Sequence, residues 1–202
     1  AEVLKKIEIK GNERISKETI KVYGDININE EINSSKINDI IKKLYSTNFF
    51  ENINISLNKQ TLVIEVVEHP VINEIIVTGE KATKYKEAIK ENIKSKKNGP
   101  FIKSFVAEDE KMIKKLYSTL GFNFLEVNSK IETFSKKRVN VYFELKKGER
   151  TNISKINFKG DRKVRDRRLR DIITSQENKF WKILTQNTKV NSKNLELDKR
   201  LL

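Results

Sequence analysis

The chain is expected to fold as α+β, in tandem small modules, each a three-stranded mixed sheet covered on one face by two helices. Three observations predict this. The hexapeptide Lys42-Lys43-Leu44-Tyr45-Ser46-Thr47 recurs 72 residues later as Lys114-Lys115-Leu116-Tyr117-Ser118-Thr119. An apolar alternation running into glycine and a polar residue occurs three times: Ile7-Glu8-Ile9-Lys10-Gly11-Asn12, Ile75-Ile76-Val77-Thr78-Gly79-Glu80 and Ile156-Asn157-Phe158-Lys159-Gly160-Asp161. Between these landmarks the elements read β-α-α-β-β, and self-similarity at a spacing of roughly 70–80 residues marks tandem domains rather than one large core.

In the first module, residues 3–10 read as a strand with Ile7 and Ile9 on one face. Gly11 ends it, because glycine tolerates the positive φ of a tight exit. Ser16 is placed to cap a short helix through Val22. A polar loop over 24–33 follows, and Ser34 or Ser35 is the expected cap of a longer helix. Its apolar residues Ile37, Ile40, Ile41, Leu44 and Tyr45 form one helical stripe. Phe49-Phe50 leads into an alternating strand at 53–57. Residues 58–60 are a hairpin loop, 61–67 a β-rich strand, and His69-Pro70 closes the module.

The second module repeats this order. Residues 71–78 are a strand, 85–93 a helix, 94–100 a loop and 104–120 a longer helix with the stripe Met112, Ile113, Leu116, Tyr117 and Leu120. Gly121 suits a left-handed C-cap. Residues 124–133 and 139–145 form a hairpin about a basic turn. A third module opens with a strand at 153–158 and a basic helix at 164–174, followed by a Phe180-Trp181 insertion and the start of a long helix at Asn191. Asp198 stands four residues before Leu202, as Asp109 stands four before Ile113. In this register the third module stops before its hairpin. The expected domains are therefore 1–70, 71–149 and 150–202. In so small a core, bulky positions such as Ile41, Leu44, Tyr45, Met112, Leu116 and Tyr117 are expected to supply much of the stability, with Leu44→Ala or Leu116→Ala costing about 2–5 kcal/mol.

The 202 residues carry a net charge of +14, distributed as −1 over residues 1–70, +6 over 71–149 and +9 over 150–202. Such a gradient invites an anionic partner, although a chain rich in Lys, Asn and Ile throughout also drifts in charge by composition alone. There is no cysteine, which removes thiol catalysis, cysteine-ligated zinc and disulfides. No run of about 18 apolar residues marks a membrane-spanning helix. Ala1-Glu2-Val3 leads directly into a strand, as expected of a mature chain without a signal segment.

Chemistry is sparse. His69 is the only histidine, beside no nucleophile motif, so a structural or solvent-exposed role is expected of it. Glu108-Asp109-Glu110, near the start of a helix, is expected to complement the helix dipole. Neither a dinucleotide fingerprint nor a phosphate-binding loop is present. No catalytic, cofactor-binding or metal site is expected. The cluster Arg162, Lys163, Arg165, Arg167, Arg168 and Arg170 is a candidate contact for an anionic surface such as phospholipid headgroups. Nucleic-acid binding is disfavoured: a KH-like clamp needs a GXXG loop between paired helices, whereas the two inter-helix loops hold only Gly24 and Gly99.

What remains is the exposed edge of a small sheet, whose unpaired N–H and C=O groups can template another strand. The first strand of each hairpin is the candidate edge: Asn52, Ile53, Asn54, Ile55, Ser56 and Leu57 in the first module, and Leu125, Glu126, Val127, Asn128, Ser129, Lys130 and Ile131 in the second.

The β-α-α-β-β repeat resembles the POTRA family. Ile7-Glu8-Ile9-Lys10-Gly11-Asn12-Glu13-Arg14-Ile15 is similar to the family's I-x-V-x-G-x-x-R-I. Leu44-Tyr45 through Phe50 and Ile53 is similar to L-Y-x-T-G-x-F-x-x-V, with Asn48-Phe49 where the family usually has glycine. Glu65-Val66-Val67-Glu68-His69-Pro70 is similar to V-x-E-x-P, and Lys147-Gly148-Glu149 with Ile153, Ile156, Phe158 and Gly160 to the next joint. The resemblance implies the periplasmic portion of an outer-membrane protein, with further modules leading to a C-terminal β-barrel. It implies a non-enzymatic scaffold that binds accessory assembly lipoproteins and unfolded outer-membrane proteins. The same module also occurs in translocation-and-assembly barrels, two-partner secretion transporters and a cell-division protein, which stand as alternatives.

Overall fold

The computed structural model describes residues 2–160, 164–177 and 189–202. These fall into two compact units. The first comprises residues up to Asn73 with Lys97–Ile102 and Thr133–Val139; the second comprises Glu74–Lys96, Lys103–Glu132 and the described residues from Asn140 onward.

The first unit contains β1 (Glu2–Val3), β2 (Lys6–Lys10), α1 (Lys17–Gly24), β3 (Glu31–Ile32), α2 (Ser34–Ser46), β4 (Phe50–Asn58) and β5 (Thr61–Glu68). Its sheet has the order β2-β5-β4, with β2 parallel to β5 and β4 antiparallel to it. A hairpin can supply the antiparallel pair, but the parallel one needs a crossover, and α1 and α2 form it. Helix α1 packs on α2, and α2 on β4. The core between helices and sheet is aliphatic: Ile20, Ile40, Leu44, Leu62 and Ile64 are fully enclosed. As expected, the Ser16 side chain caps α1 by accepting from the Thr19 N–H at 3.1 Å. The cap of α2 is Asn33, not Ser34 or Ser35; its Oδ1 accepts from the Lys36 N–H at 2.9 Å. The segment expected as a loop contains β3, which pairs antiparallel with β1 and buries Ile26 and Ile32.

The hairpin loop is Lys59-Gln60, both residues at positive φ (43° and 64°), the backbone of a type I′ turn. Asn48 supplies the left-handed residue after α2, with φ of 59°. Asparagine is among the few non-glycine residues suited to that region, so the turn forms without the glycine usual at that place in the family.

The second unit holds α3 (Thr83–Asn92) and α4 (Lys103–Thr119) and most of β6 (Val71–Thr78), β7 (Glu126–Ser135) and β8 (Arg138–Lys146). Its sheet order, β6-β8-β7, reproduces that of the first. Gly121, with φ of 88°, ends α4 in a Schellman motif: Phe122 N–H donates to Tyr117 O, and Gly121 N–H to Ser118 O, both at 3.0 Å. Gly11 and Gly79 hold equivalent places. Their φ values are 80° and 78°, and an added Cβ would lie 2.1 Å from Val66 O and 1.8 Å from Leu145 O. Only glycine lets the first strand leave the sheet so close to the last one.

The stripe of α4 differs from expectation. Val106, Asp109, Ile113 and Tyr117 are buried, Leu116 is half-buried, and Met112 is 42% exposed. In the matching hexapeptide of α2, Leu44 is buried and Tyr45 is 41% exposed. Identical hexapeptides therefore present different faces. The cause is the partner of the tyrosine. Tyr117 donates its hydroxyl proton to buried Glu80, beside Gly79, whereas the residue after Gly11 is Asn12, which donates to Ile15 O.

Residues 153–158, expected as a strand, lie in no strand. In the two complete sheets the corresponding strand lies beside the second strand of a hairpin, and no hairpin occurs among the described residues of 150–202. The segment is instead held by side chains: Ile156 N–H donates to Glu177, and Arg170 donates to Ile156 O, both at 3.0 Å. The basic helix is α5 (Asp166–Ile172), shorter than expected, and α6 (Ser192–Leu201) begins at its cap Asn191. Asp161 and the Phe180-Trp181 insertion lie outside the described residues.

Candidate binding edges

Strand β4 is the outer strand of its sheet, and Asn52 through Leu57 all lie within it. A two-residue hairpin closes on a hydrogen-bonded pair, here Asn58 and Thr61. Bonding alternates along an antiparallel ladder, so Asn54 and Ser56 turn their backbone groups inward to β5, while Ile53, Ile55 and Leu57 turn theirs outward. The side chains follow the same alternation. Ile53, Ile55 and Leu57 face the core, with Ile55 and Leu57 only partly covered, and Asn54 is exposed on the opposite face.

Strand β7 is likewise the outer strand of its sheet. Glu126, Val127, Asn128, Ser129, Lys130 and Ile131 lie in it, but Leu125 precedes it and is buried. Val127 is buried and the rest of the strand is exposed. The turn at its end is Lys136-Lys137.

Two side chains that sequence reasoning did not connect with these edges reach them from the helices. Tyr45 Oη accepts from the Ile53 N–H at 3.2 Å. Glu110 Oε1 accepts from the Ser129 N–H at 2.9 Å. No local pattern signals either contact, since each joins a helix to a strand through a backbone group.

Buried carboxylates hold the connections behind the edges. Glu68, at the end of β5, accepts from the N–H groups of Glu13 (2.9 Å), Arg14 (3.0 Å) and Ile15 (2.9 Å). Burial alone would raise its pKa, but these three donors and the Arg14 charge hold it below the ordinary carboxylate value. Glu80 plays the corresponding part after β6. Burial opposes its ionisation, yet the Tyr117 hydroxyl, the Ala82 N–H and Lys147 together bring its pKa down to about 2. Burial and the Glu80 charge push the Tyr117 phenol up. Asp109 does not complement a dipole. It is buried, and its carboxylate accepts from Lys94 N–H (2.6 Å) and Ser95 N–H (3.0 Å) at the exit of α3. Asp198 of α6 repeats this on Thr174 N–H (2.5 Å) and Ser175 N–H (3.1 Å), at the exit of α5. His69 is half-buried, and its N–H donates to Phe49 O at 2.9 Å; burial lowers its pKa, opposed by Glu51.

Of the basic cluster, Arg162 and Lys163 lie outside the described residues. Arg165, Arg167 and Arg168 are exposed on and beside α5. Arg170 is also exposed, but its guanidinium donates to Ile156 O and pairs with Glu177, the latter at 3.2 Å. No described helix is long and apolar enough to cross a membrane.

Residues 3–69 and 70–148 each match the model of the POTRA family, described as a surface antigen variable number repeat. The chain is 25% identical over 195 residues to the outer membrane protein assembly factor BamA of Neisseria meningitidis serogroup B, covering 95% of this chain and 24% of that protein. It is 26% identical over 205 residues to BamA of Neorickettsia risticii, covering 100% of this chain and 27% of that protein. The chain thus spans about a quarter of the length of these relatives. The N-terminal domain of Omp85 from Thermosynechococcus elongatus superposes with a TM-score of 0.50 at 12% identity, over 98% of this chain and 83% of that domain; at that identity the likeness concerns the fold alone.

Proposed function

The chain belongs to the POTRA family, and from that premise we propose that it is a periplasmic, non-catalytic docking array of an outer-membrane β-barrel assembly protein. It binds unfolded outer-membrane proteins and accessory assembly lipoproteins, by adding their extended segments to the outer edges of β4 and β7. The observation that carries this reading is the repeated sheet order. In both sheets the first hairpin strand is outermost, and β4 offers outward backbone groups above a half-covered row of Ile55 and Leu57. An added strand with alternating apolar and polar residues would continue that row and satisfy the edge. Residues 1–70 and 71–149 are the two complete modules in this reading. Residues 150–202 contribute a third helix pair, supported by the matched carboxylate clamps of Asp109 and Asp198.

The test is made on the native full-length protein with an antibody raised against this chain. The reading predicts an outer-membrane band that migrates faster on a gel when unheated, as folded β-barrels do. A soluble or inner-membrane band without that shift would move the chain to a division-protein or free-scaffold role. The exposed Arg165, Arg167 and Arg168 support a second contact, with phospholipid headgroups. Its binding to anionic vesicles should fall steeply between low and physiological salt, and vesicle binding indifferent to salt would remove it.

A further inference from the structure

Strand addition to an open edge needs the edge N–H groups to be free, and in both sheets one of them is not. The Ile53 N–H of β4 is taken by the Tyr45 hydroxyl of α2, and the Ser129 N–H of β7 by the Glu110 carboxylate of α4. The two plugs are chemically different but placed alike. Each is a helix side chain reaching to the outer strand, toward the end farther from the hairpin turn. Tyr45 is the residue whose counterpart Tyr117 is buried on Glu80. Freed from that role, Tyr45 is 41% exposed, with its hydroxyl on the edge.

We propose that Tyr45 and Glu110 set the register of strand addition, closing the turn-distal part of each edge and confining an incoming strand to the stretch nearer the hairpin turn. The inference rests on the strand-addition reading above. In β4 the open stretch holds the outward groups of Ile55 and Leu57, whose half-covered side chains an incoming apolar residue can finish burying. In β7 the part nearer the turn holds Ile131, itself 39% exposed. The occupant is an extended segment of another polypeptide with alternating apolar and polar side chains, matched to the Ile/Asn and Leu/Ser alternation of β4. Such a plug also protects a free edge from uncontrolled pairing, as blocked edges do elsewhere. A segment that enters farther from the turn must displace the tyrosine or the glutamate, so the plugs act as a filter on register and length.

Amide hydrogen exchange on the whole chain tests this, with Tyr45→Phe and Glu110→Ala as variants and a soluble synthetic peptide of alternating valine and threonine as the probe. Tyr45→Phe removes one hydroxyl, and Glu110→Gln, which keeps an acceptor, serves as the control for Glu110→Ala. Without peptide, the Ile53 amide should exchange about tenfold faster in Tyr45→Phe, and the Ser129 amide likewise in Glu110→Ala, as expected for losing one hydrogen bond. With peptide, the parent chain should gain protection at Ile55 and Leu57 but no further at Ile53, and Tyr45→Phe should extend protection to Ile53 and bind more tightly. Unchanged exchange at Ile53 and Ser129 in the peptide-free variants would overturn the plugs while leaving strand addition standing. The same protected residues with peptide in parent and variant would do so too. Failure of any peptide to protect β4 or β7 in parent and variants alike would overturn strand addition, and the plugs as its filter with it.

Discussion

Replacing Glu80 by glutamine tests how the second sheet is tied to its helices. The carboxylate is 2% exposed and holds three donors: the Tyr117 hydroxyl, the Ala82 N–H at 2.9 Å and Lys147 Nζ at 3.2 Å. Its pKa falls from the ordinary 4.5 to about 2 because these donors outweigh burial. A carboxyl displaced that far contributes about 3 kcal/mol while ionised. The sign follows from the direction of the shift. The folded pKa lies below the unfolded one, so the contribution is complete above pH 4.5 and is lost as pH falls toward 2. Glutamine keeps an acceptor for Tyr117 but carries no charge, and Lys147, 32% exposed, stays solvated. The assay is urea unfolding followed by amide signals of β6 and β8, for parent and Glu80→Gln, at a series of pH values. Other carboxylates, Glu68 among them, are common to both proteins and cancel in the difference. The parent should exceed the variant by about 2–3 kcal/mol at neutral pH, and the gap should close between pH 4.5 and 2. A gap under about 0.5 kcal/mol at neutral pH, or one that does not change across that window, would refute the role assigned to Glu80.

Three further outcomes follow from packing and backbone geometry. Gly79→Ala should destabilise the second sheet by more than about 2 kcal/mol in the same urea assay, because its Cβ would lie 1.8 Å from Leu145 O at a φ of 78°. Leu44→Ala should cost about 2–5 kcal/mol, whereas Leu116→Ala should cost less, since only Leu44 is fully enclosed; equal losses in paired urea titrations would contradict the different helix faces. Asp109→Ala should raise amide exchange at Lys94 and Ser95 by at least about tenfold, because their N–H groups lose a charged acceptor.

Local patterns made the two complete modules legible. The period of Ile37, Ile40, Ile41 and Leu44 marks the buried side of α2, Ser16 is the cap it was expected to be, and a Gly-terminated alternation marks β2 and β6. The same patterns led to both candidate edge strands, and each lies outermost. What stayed hidden depends on partners distant in sequence. The pairing of β1 with β3 rests on two-residue segments that carry no periodicity. An alternating segment at 153–158 has the composition of a strand, but a strand exists only through its neighbour, and that neighbour is absent among the described residues. Tyr45 and Tyr117 sit in identical hexapeptides, yet Tyr117 bonds Glu80, the residue after Gly79, while Asn12, the residue after Gly11, bonds Ile15 O instead. The acidic run at 108–110 suggests a dipole effect, yet it contains a buried clamp, Asp109, and an edge plug, Glu110. Both contacts are made to backbone N–H groups, which leave no trace in side-chain patterns.

The most direct test of the docking role is a peptide titration on the parent chain and on Ile55→Pro, followed by amide signals. Ile55 lies in an outer strand with its N–H turned away from β5, so proline removes a docking donor without breaking the β4–β5 ladder; Asn54, whose N–H faces β5, is unsuited to this. An alternating valine–threonine peptide should perturb β4 in the parent, and Ile55→Pro should weaken binding at least about tenfold while the core amides of Ile64 and Leu44 stay protected. Equal affinity in a folded Ile55→Pro chain, or peptide-induced changes confined to the helices, would contradict docking at this edge.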